Sequence, residues 1–450
     1  MVFQIIDKIK YILKIIMSKQ KIVLIGAGSL TFGLGTVGSI INSETLGGAT
    51  ICLHDINEET LDVVTRTCKS ALEDKQSDFA IESTTDRKEA LKNANFIINS
   101  IEITPRFSLL RWDFEFPMMF GSKQITGENG GPGGFFHALR VIPPILDICE
   151  DIQKVSPDAL FINFSNPMSR ICLAIKRKFP NQRFVGLCHE IHNVIQWLPR
   201  ILDTPFKNLE IKAGGLNHFG VVLDAKYRDT GKDAYPDIRK KAPAFLDETN
   251  KSTDVSLIKF ILEMYDYLPY TTDNHYGEYI SWAWEESNLY HGREFWEGYE
   301  KYSANTFERM KRAINEGSGA KLVRPGGERA IPIIEGILNN DNHLEFSVNL
   351  PNDGIISNLP EDLVVECPAT VNNDGLQGVK LGEYPKGLAA LLNTQAAVQD
   401  LVVEAILTKS KKIALQALLA DPVINSTTQA KKILESMLEL QKNKIQIELI

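Results

Sequence analysis

The chain has 450 residues, of which 44% are hydrophobic and 24% charged, a balance typical of globular proteins. This length predicts two or three domains of roughly 100–200 residues each, and the composition excludes a disordered, collagen-like or low-complexity chain. A net charge of −8 argues against nucleic acid or an anionic membrane surface as the main partner. The six cysteines stand singly along the chain, which favours a reducing cytoplasm over a disulfide scaffold.

Residues 1–16 form a separate N-terminal extension whose apolar residues recur at helical spacing, with Lys8, Lys10 and Lys14 on the other face. Three interpretations are open: an interfacial helix, an extra packing helix, or untranslated sequence before a true start at Met17. We favour the last, because MSKQKIVLIGAGS is a natural beginning for the strand that follows. The lysines interrupt the apolar run, so the segment predicts neither a membrane-spanning helix nor a secretory signal.

A glycine-containing turn follows the first predicted strand, QKIVLI. Gly26 and Gly28, with Ser29, lead into an apolar helix, which is the context of a dinucleotide phosphate-binding loop. The expected third glycine is replaced by Thr31, and Gly33 comes two residues later. A lone G-x-G is a weak signal, and a plain turn is the alternative.

Further strands strengthen the interpretation as a nucleotide-binding domain. Residues 50–54 form a strand that ends at Asp55, where an acid would bind the ribose hydroxyls of NAD in preference to NADP. Residues 95–99 form another buried strand, which ends in Asn99. Alternation of strands and helices predicts an α/β fold with a Rossmann-like, doubly wound parallel sheet and a ligand at the carboxyl ends of the strands.

The prediction divides the chain into an NAD-binding domain, residues 17–200, and a second domain, residues 201–450. The second domain is expected to be an α+β catalytic domain of the lactate/malate dehydrogenase-like type that carries the substrate, metal and oligomerisation surfaces. Strands at 159–163 and 183–187 continue the first domain. The glycine-rich segment 127–135 is either a flexible connection or a mobile segment beside a bound ligand.

Three short polar motifs follow strands in the middle of the chain. Asn166 precedes a proline, Cys188 and His189 follow the next strand, and Asn217 and His218 lie within GGLNHFG. A free cysteine is often only a small buried hydrophobe, so Cys188 and His218 need no chemical role. Their spacing matches no structural zinc site, but a thiolate and an imidazole would leave a divalent metal open to substrate oxygens.

Together the motifs resemble those of glycoside hydrolase family 4, the NAD-dependent glycosidases. The matching pieces of this sequence are I-G-A-G-S at 25–29, N-x-x-N-P at 163–167, G-L-C-H at 186–189, G-L-N-H at 215–218, T-T-D-N-H at 271–275 and E-Y at 278–279. The resemblance extends over nearly everything after Met17. It implies hydride transfer from sugar C3 to NAD⁺, loss of the C2 proton to a base, elimination at C1, addition of water and return of the hydride, with Mn²⁺ or another divalent metal holding the sugar.

The resemblance also implies roles for individual residues. Cys188 and His218 would be the metal ligands, and Asn166 and Asn217 would contact substrate hydroxyls. His189 would donate the leaving-group proton or, alternatively, orient the substrate. The cofactor contacts would come from Gly26, Gly28, Ser29, Asp55 and Asn99.

The resemblance leaves an aspartate and two tyrosines as alternatives for the C2 base. Asp273 matches an acidic residue of some relatives, whereas others use a tyrosine, and Tyr276 and Tyr279 are close in sequence. Nearby His275 and Glu278 are either surface residues or sugar contacts.

The motifs resemble the branch of the family that acts on unphosphorylated α-glucosides, α-galactosides or α-galacturonides. The expected partner is therefore a small carbohydrate, and the expected state is a cytoplasmic homodimer or homotetramer. Two alternatives share the nucleotide-binding fold: an NAD-dependent 2-hydroxy acid dehydrogenase of the lactate/malate type, and a non-enzymatic NAD-binding regulator.

Overall fold

The structure, a computed structural model, describes residues 20–288 and 291–450. The predicted extension at 1–16 and the start proposed at Met17 lie outside these residues. Within the described ranges, no helix combines the length and the apolar character needed to cross a membrane.

Six parallel strands come first in the chain: β1 (Lys21–Ile25), β2 (Thr50–His54), β3 (Ala80–Thr84), β4 (Phe96–Asn99), β5 (Leu160–Asn163) and β6 (Phe184–Gly186). Their spatial order, β3-β2-β1-β4-β5-β6, is that of a doubly wound nucleotide-binding sheet. Ile25 pairs with His54 and Asn99, Asn99 with Asn163, and Asn163 with Gly186. Because these residues end their strands, five carboxyl ends lie level along one edge, and the loops that follow them converge there.

The predicted α/β fold is confirmed, and the five strands predicted before residue 200 lie within one residue of their predicted bounds. Strand β3 was not predicted. Three of its five residues are exposed, because it lies at the edge of the sheet, and its sequence AIEST has no buried run to mark it.

Five more strands continue the same sheet in antiparallel fashion: β7 (Leu209–Leu216), β8 (Phe219–Tyr227), β9 (His343–Pro351), β10 (Val364–Asn372) and β11 (Gly375–Gly378). Strand β9 pairs with β6, β10 with β9, β7 with β10, and β8 with β7. The segments predicted as separate domains, 17–200 and 201–450, therefore share one mixed sheet of eleven strands within the described residues.

Helices cover both faces of this sheet. Their bounds are α1 (Leu30–Ile41), α2 (Glu58–Lys75), α3 (Arg87–Leu91), α4 (Arg106–Met119), α5 (Gly131–Val155), α6 (Met168–Lys178), α7 (Ile191–Leu202), α8 (Tyr235–Thr249), α9 (Ser256–Tyr265), α10 (Asp273–Tyr276), α11 (Ala283–Glu286), α12 (His291–Asn315), α13 (Ala330–Asn339), α14 (Lys386–Thr408), α15 (Lys411–Ala420) and α16 (Thr427–Leu440). Short 3₁₀ turns lie at Phe206–Asn208, Gly277–Tyr279 and Gly319–Leu322.

Alternate residues of the central strands enter different hydrophobic cores. On β1, Ile22 and Leu24 belong to one core, whereas Val23 and Ile25 belong to the other. This is the two-residue period of a strand that is buried on both faces. The C-terminal helices α14, α15 and α16 pack in the second core together with α5 and α6, so the end of the chain covers the nucleotide-binding half of the sheet.

Glycines on helix α1 allow other backbone segments to approach the helix closely. A Cβ on Gly33 would lie 2.6 Å from the carbonyl oxygen of Ala27, so Gly33 allows the tight approach of loop and helix that the missing third glycine would otherwise give. A Cβ on Gly38 would overlap the carbonyl of Arg324 and lie 2.8 Å from the nitrogen of Pro325. We call residues 324–328 the 324–328 segment; it crosses α1 from the second half of the chain.

The substitution Gly38→Ala should destabilise the protein by about 1–3 kcal/mol, because the added methyl group meets backbone that has to shift. Gly298→Ala is the matched control: Gly298 also lies in a helix, but an added Cβ there has no neighbour within 4 Å. The control should be neutral or raise the melting temperature slightly, since alanine favours helix. Equal melting temperatures for the two variants would contradict the described contact.

Candidate active site

A cavity of about 490 Å³ opens at the carboxyl edge of the parallel strands. Its walls come from the loops after β1, β4, β5 and β6, from the β7–β8 turn, from helix α10 and from the 324–328 segment. We call it the first cavity. It joins the predicted nucleotide loop at Ser29 to the predicted metal ligands Cys188 and His218 in one continuous space.

The glycine loop forms one end of the first cavity. Gly26 has a φ of +80°, which a residue with a side chain rarely adopts, and the backbone N–H of Gly28 donates to Oδ2 of Asp55 at 2.8 Å. A Cβ on Gly28 would lie 2.6 Å from that carboxylate oxygen. The predicted contacts Gly26, Gly28, Ser29 and Asp55 therefore lie together around one loop, with the carboxylate of Asp55 fixed at the end of β2.

Asn99 lies behind the first cavity and does not line it. Its side chain is fully buried, and its Nδ2 donates to Oδ1 of Asn163 at 2.9 Å and to Oγ of Ser165 at 3.2 Å. The predicted direct contact with a cofactor does not fit this placement. The side chain instead ties the end of β4 to the loop after β5, while the next residue, Ser100, lines the cavity.

The predicted metal ligands lie side by side. Sγ of Cys188 is 3.1 Å from Nε2 of His218, although the residues are thirty positions apart. Cys188 follows β6, and His218 occupies the β7–β8 turn with a φ of +61°. Asn217, in the same turn, donates from Nδ2 to Oε2 of Glu366 at 2.9 Å. The predicted contact Asn217 therefore anchors the turn and is 1% exposed, with its Oδ1 buried and unpartnered in the described structure.

Protonation at this pair is governed by burial. Burial raises the pKa of the Cys188 thiol well above its usual range, and the charges of Glu366 and Glu190 raise it further. Burial also lowers the pKa of His218, as do the neighbouring His275 and His189. The chain alone therefore favours a neutral thiol beside a neutral imidazole.

The donor set at the pair fits a divalent cation. Ligand atoms of Glu190, His218 and His275 lie within 4.8 Å of one another, and Cys188 adds a sulfur beside His218. The sulfur of Cys188 and the imidazole nitrogen of His218 together suit a first-row divalent metal, whose charge would stabilise the thiolate that burial disfavours, with the carboxylate of Glu190 close beside it. Asn129 Nδ2 lies 3.2 Å from Nδ1 of His218 and would hold the ring from behind.

The glycine-rich segment 127–135 is packed against the site. Oε2 of Glu278 accepts the backbone N–H groups of Asn129 at 2.5 Å and Gly130 at 2.7 Å, and Oε1 lies 3.4 Å from Nδ1 of His275. The whole segment is buried. Of the two interpretations open from the sequence, the structure excludes a loose connection and places the segment beside the cavity.

Glu102, Arg106 and Glu128 line the first cavity near the nucleotide loop, and the fully buried His137 lies behind Glu102. Nε2 of His137 lies 3.0 Å from Oε2 of Glu102, and the guanidinium of Arg106 lies 3.9 Å from Glu102 and 3.6 Å from Glu128. Burial raises the pKa of the Glu102 carboxyl, but the charge and hydrogen bond of His137 and the charge of Arg106 outweigh it and lower that pKa to about 2. Arg106 is therefore neutralised by carboxylates on both sides.

Asp273 does not line the first cavity. The residue is 1% exposed, and its carboxylate accepts the backbone N–H groups of Leu257 at 3.0 Å and Ile258 at 3.1 Å, at the start of helix α9. The predicted role as C2 base does not fit this position, because a helix N-terminus occupies both oxygens. The alternatives Tyr276 and Tyr279 are also buried outside the cavity lining, whereas His275 lines it.

Asn166 and His189, the predicted substrate contact and proton donor, both line the first cavity. The His189 side chain is 66% exposed at the rim, with Nδ1 3.6 Å from Oε1 of Glu328 and Nε2 3.8 Å from Oε1 of Glu190. Sequence reasoning missed both carboxylates. Glu190 was visible only as the neighbour of a motif, and Glu328 approaches from a segment far along the chain.

Comparison with known proteins places the chain in a family. The model of the family 4 glycosyl hydrolases matches residues 21–204, and the model of their C-terminal domain matches residues 213–424. An α-glucosidase of Erwinia rhapontici is 42% identical, over 94% of this chain and 98% of that protein. An α-galactosidase of Bacillus subtilis is 29% identical, over 92% of this chain and 96% of that protein.

A solved structure shows the same fold with ligands. The 6-phospho-α-glucosidase from gut microorganisms, in complex with NAD and Mn²⁺, superimposes with a TM-score of 0.84 at 25% identity, over 96% of this chain and all of that chain. The fold is that of a glycoside hydrolase built on a nucleotide-binding sheet. This chain belongs to glycosyl hydrolase family 4, which decides against the dehydrogenase and regulator alternatives.

If Cys188 is a metal ligand, Cys188→Ser should abolish the thiolate-to-metal charge-transfer absorption on Co²⁺ titration and weaken Mn²⁺ binding at least about 100-fold. Cys68→Ala is the control, because Cys68 is fully buried on α2 away from the cavity and should keep both signals. An unchanged Co²⁺ spectrum in Cys188→Ser would exclude this residue as a ligand.

Proposed function

We propose that this chain hydrolyses unphosphorylated, neutral α-glucosides, using NAD⁺ and a divalent cation such as Mn²⁺. The observation that carries the proposal is the single cavity that joins the glycine loop to the Cys188–His218 pair. The 42% identity with an α-glucosidase supports the α-glucoside over the α-galactoside and α-galacturonide that remain alternatives.

The residues present fit both groups. We assign the cofactor phosphates and ribose to the loop of Gly26, Gly28 and Ser29 and to the carboxylate of Asp55, with Asn99 bracing the loop beside them. We assign the cation to Cys188 and His218. When bound there, NAD⁺ would supply the acceptor for a hydride from sugar C3, and the cation would supply positive charge beside the neighbouring sugar oxygens.

We assign hydroxyl binding and the proton transfers to polar side chains around the sugar. Asn166 offers an amide to a sugar hydroxyl from the cavity wall. Glu190 is our proposed base for the C2 proton: its Oε2 is fixed by the hydroxyl of Thr271 at 2.6 Å and the amide of Asn193 at 3.2 Å. Its other oxygen lies on the side of His189, which we propose as the proton donor to the leaving group.

The charges around the first cavity support a neutral substrate. Among its described lining residues there are four glutamates and one arginine, Arg106, and no lysine. Arg106 already faces Glu102 and Glu128. A phosphate group or a uronate would therefore enter a site that offers carboxylates and no unpaired cationic side chain among these residues, which costs binding energy.

We also propose that the protein acts in a reducing compartment, the cytoplasm. All six cysteines are free in the structure, and oxidation of Cys188 would remove a proposed metal ligand. The homodimer or homotetramer expected from the resemblance stays a prediction.

The substrate proposal is tested with paired nitrophenyl α-glucosides, one neutral and one phosphorylated at C6, in the presence of NAD⁺ and Mn²⁺. The neutral compound should have a kcat/KM at least about 100-fold higher, a difference of about 2.7 kcal/mol. Glu128→Gln removes one of the two carboxylates that face Arg106 and should lower the ratio of kcat/KM for the neutral compound to kcat/KM for the phosphorylated one. Glu383→Gln removes the same charge at the surface and should leave it unchanged. Preference for the phosphorylated compound in the wild type would overturn the proposal.

If His189 donates the leaving-group proton, His189→Asn should slow hydrolysis of methyl α-glucoside by about 10²–10⁴-fold. Nitrophenyl α-glucoside should be nearly unaffected, because nitrophenolate leaves without protonation. Initial rates with the two substrates measure the difference directly. An equal loss on both would assign His189 to substrate orientation instead.

A further inference from the structure

The glycine-rich segment 127–135 meets the E-Y motif at Asn129, beside the proposed metal ligands. The backbone N–H of Asn129 donates to Oε2 of Glu278 at 2.5 Å. A Cβ on Gly134 would overlap the carbonyl carbon of Asn129, so the first turn of helix α5 also packs against this residue. Asn129 is 4% exposed, and its backbone is held from two sides.

The side chain of Asn129 contacts the imidazole ring of His218. Its Nδ2 lies 3.2 Å from Nδ1 of that ring, and Nε2 of the same ring lies 3.1 Å from Sγ of Cys188. His275 contacts the ring through packing of the two imidazoles, whose centroids are 4.2 Å apart. Among the described residues, Asn129 is therefore the one whose side chain hydrogen-bonds Nδ1 of His218.

The orientation of the Asn129 amide decides which nitrogen of His218 carries the ring proton. A neutral imidazole has one N–H group and one unprotonated nitrogen. When Nδ2 of Asn129 donates to Nδ1, the ring proton is on Nε2, which faces Sγ of Cys188. Nε2 has to be unprotonated to bind a cation together with that sulfur. The observed orientation therefore suits the metal-free pair.

The other end of the amide can stabilise the opposite tautomer. Oδ1 of Asn129 is buried and has no hydrogen-bond partner in the described structure. The two ends of an amide have nearly the same shape, so a half-turn about the Cβ–Cγ bond exchanges Oδ1 with Nδ2 and leaves the backbone in place. Oδ1 then accepts the Nδ1–H of His218, and Nε2 keeps a free lone pair beside Cys188.

We propose that Asn129 is a positioning residue for the cation, because its Oδ1 accepts the Nδ1–H of His218 and so selects the tautomer that binds metal. Glu278 acts one step farther away, since it holds the backbone on which the amide turns. This inference rests on the proposed function, which takes Cys188 and His218 as the metal ligands. It assigns the glycine-rich segment to metal binding.

Two substitutions of Asn129 separate hydrogen-bond acceptance from packing. Asn129→Leu keeps nearly the same size and removes both polar atoms, whereas Asn129→Asp keeps acceptor oxygens and removes the donor. Calorimetric titration with Mn²⁺, without NAD⁺ or sugar, measures the affinity of each protein for the metal. Asn129→Leu should bind Mn²⁺ about 10–100-fold more weakly than the wild type, and Asn129→Asp should stay within about threefold of the wild type or bind more tightly.

The double variant Asn129→Leu/Gly327→Asp is the control for negative charge alone. Gly327 lines the first cavity from the 324–328 segment, and an added Cβ there has no neighbour within 4 Å. The new carboxylate would add charge to the cavity wall without a hydrogen bond to Nδ1 of His218. The double variant should therefore stay within about fivefold of Asn129→Leu in its affinity for Mn²⁺. Restoration of wild-type affinity in the double variant would overturn the inference, because charge alone would then explain the behaviour of Asn129→Asp.

Two further results would overturn the inference: a loss of less than about tenfold in Asn129→Leu, or a loss of more than about threefold in Asn129→Asp. If melting curves show that Asn129→Leu does not fold, the comparison of Asn129→Asp with the wild type still decides.

Cys188→Ser separates failure of the inference from failure of the proposed function. If Cys188→Ser weakens Mn²⁺ binding but Asn129→Leu does not, only the inference is wrong. If Cys188→Ser binds Mn²⁺ as the wild type does, the proposed metal site is wrong and the inference fails with it.

Discussion

The alignment of strand ends determines where chemistry can occur in this protein. Ile25, Asn99, Asn163 and Gly186 end four neighbouring strands at one level, so every loop that leaves them enters the same space. A register shift of one residue in β6 would turn the side chains of that strand to the opposite face and displace the loop that carries Cys188. The antiparallel strands extend the sheet from this edge, and the β7–β8 turn places His218 beside Cys188.

Holding a thiol and an imidazole in a buried site requires support from outside the pair. Glu366 on β10 accepts hydrogen bonds from Asn217 and Ser347 and so fixes the turn that presents His218. Burial raises the pKa of Glu366 to about 7, with the hydrogen bonds of Ser347 and Asn217 acting in the opposite direction. The site therefore depends on strands from the second half of the chain as much as on the nucleotide-binding half.

Much of this arrangement could be predicted from the sequence because the signals were local. Buried runs such as NFIIN mark strands, and a residue that follows such a run lies at the carboxyl edge, which is how Asn166, Cys188 and the glycine loop were found. Exposed β3 gave no such signal. Asp273, predicted as the C2 base, lies away from the cavity because its environment is set by helix α9, which precedes it in the chain and whose N-terminus it caps.

The groups that sequence reasoning missed are brought in by non-local packing. The approach of His137 to Glu102 joins a helix to a loop thirty-five residues away, and Glu328 reaches His189 from the 324–328 segment, which is anchored on α1 by the N–H of Gly326 donating to the carbonyl of Gly35 at 3.0 Å. No periodicity or motif in one sequence encodes such distances. They set the charge of the cavity, on which the proposal of a neutral substrate rests.

In the proposed mechanism, this site breaks the glycosidic bond by removing a proton from C2, with Glu190 beside the Cys188–His218 pair. The most direct test is hydrolysis of an unlabelled α-glucoside in D₂O with NAD⁺ and Mn²⁺, followed by proton NMR of the released sugar. Because the C2 proton is lost and replaced from the solvent, the released sugar should carry deuterium at C2. Complete hydrolysis with only hydrogen at C2 would contradict it.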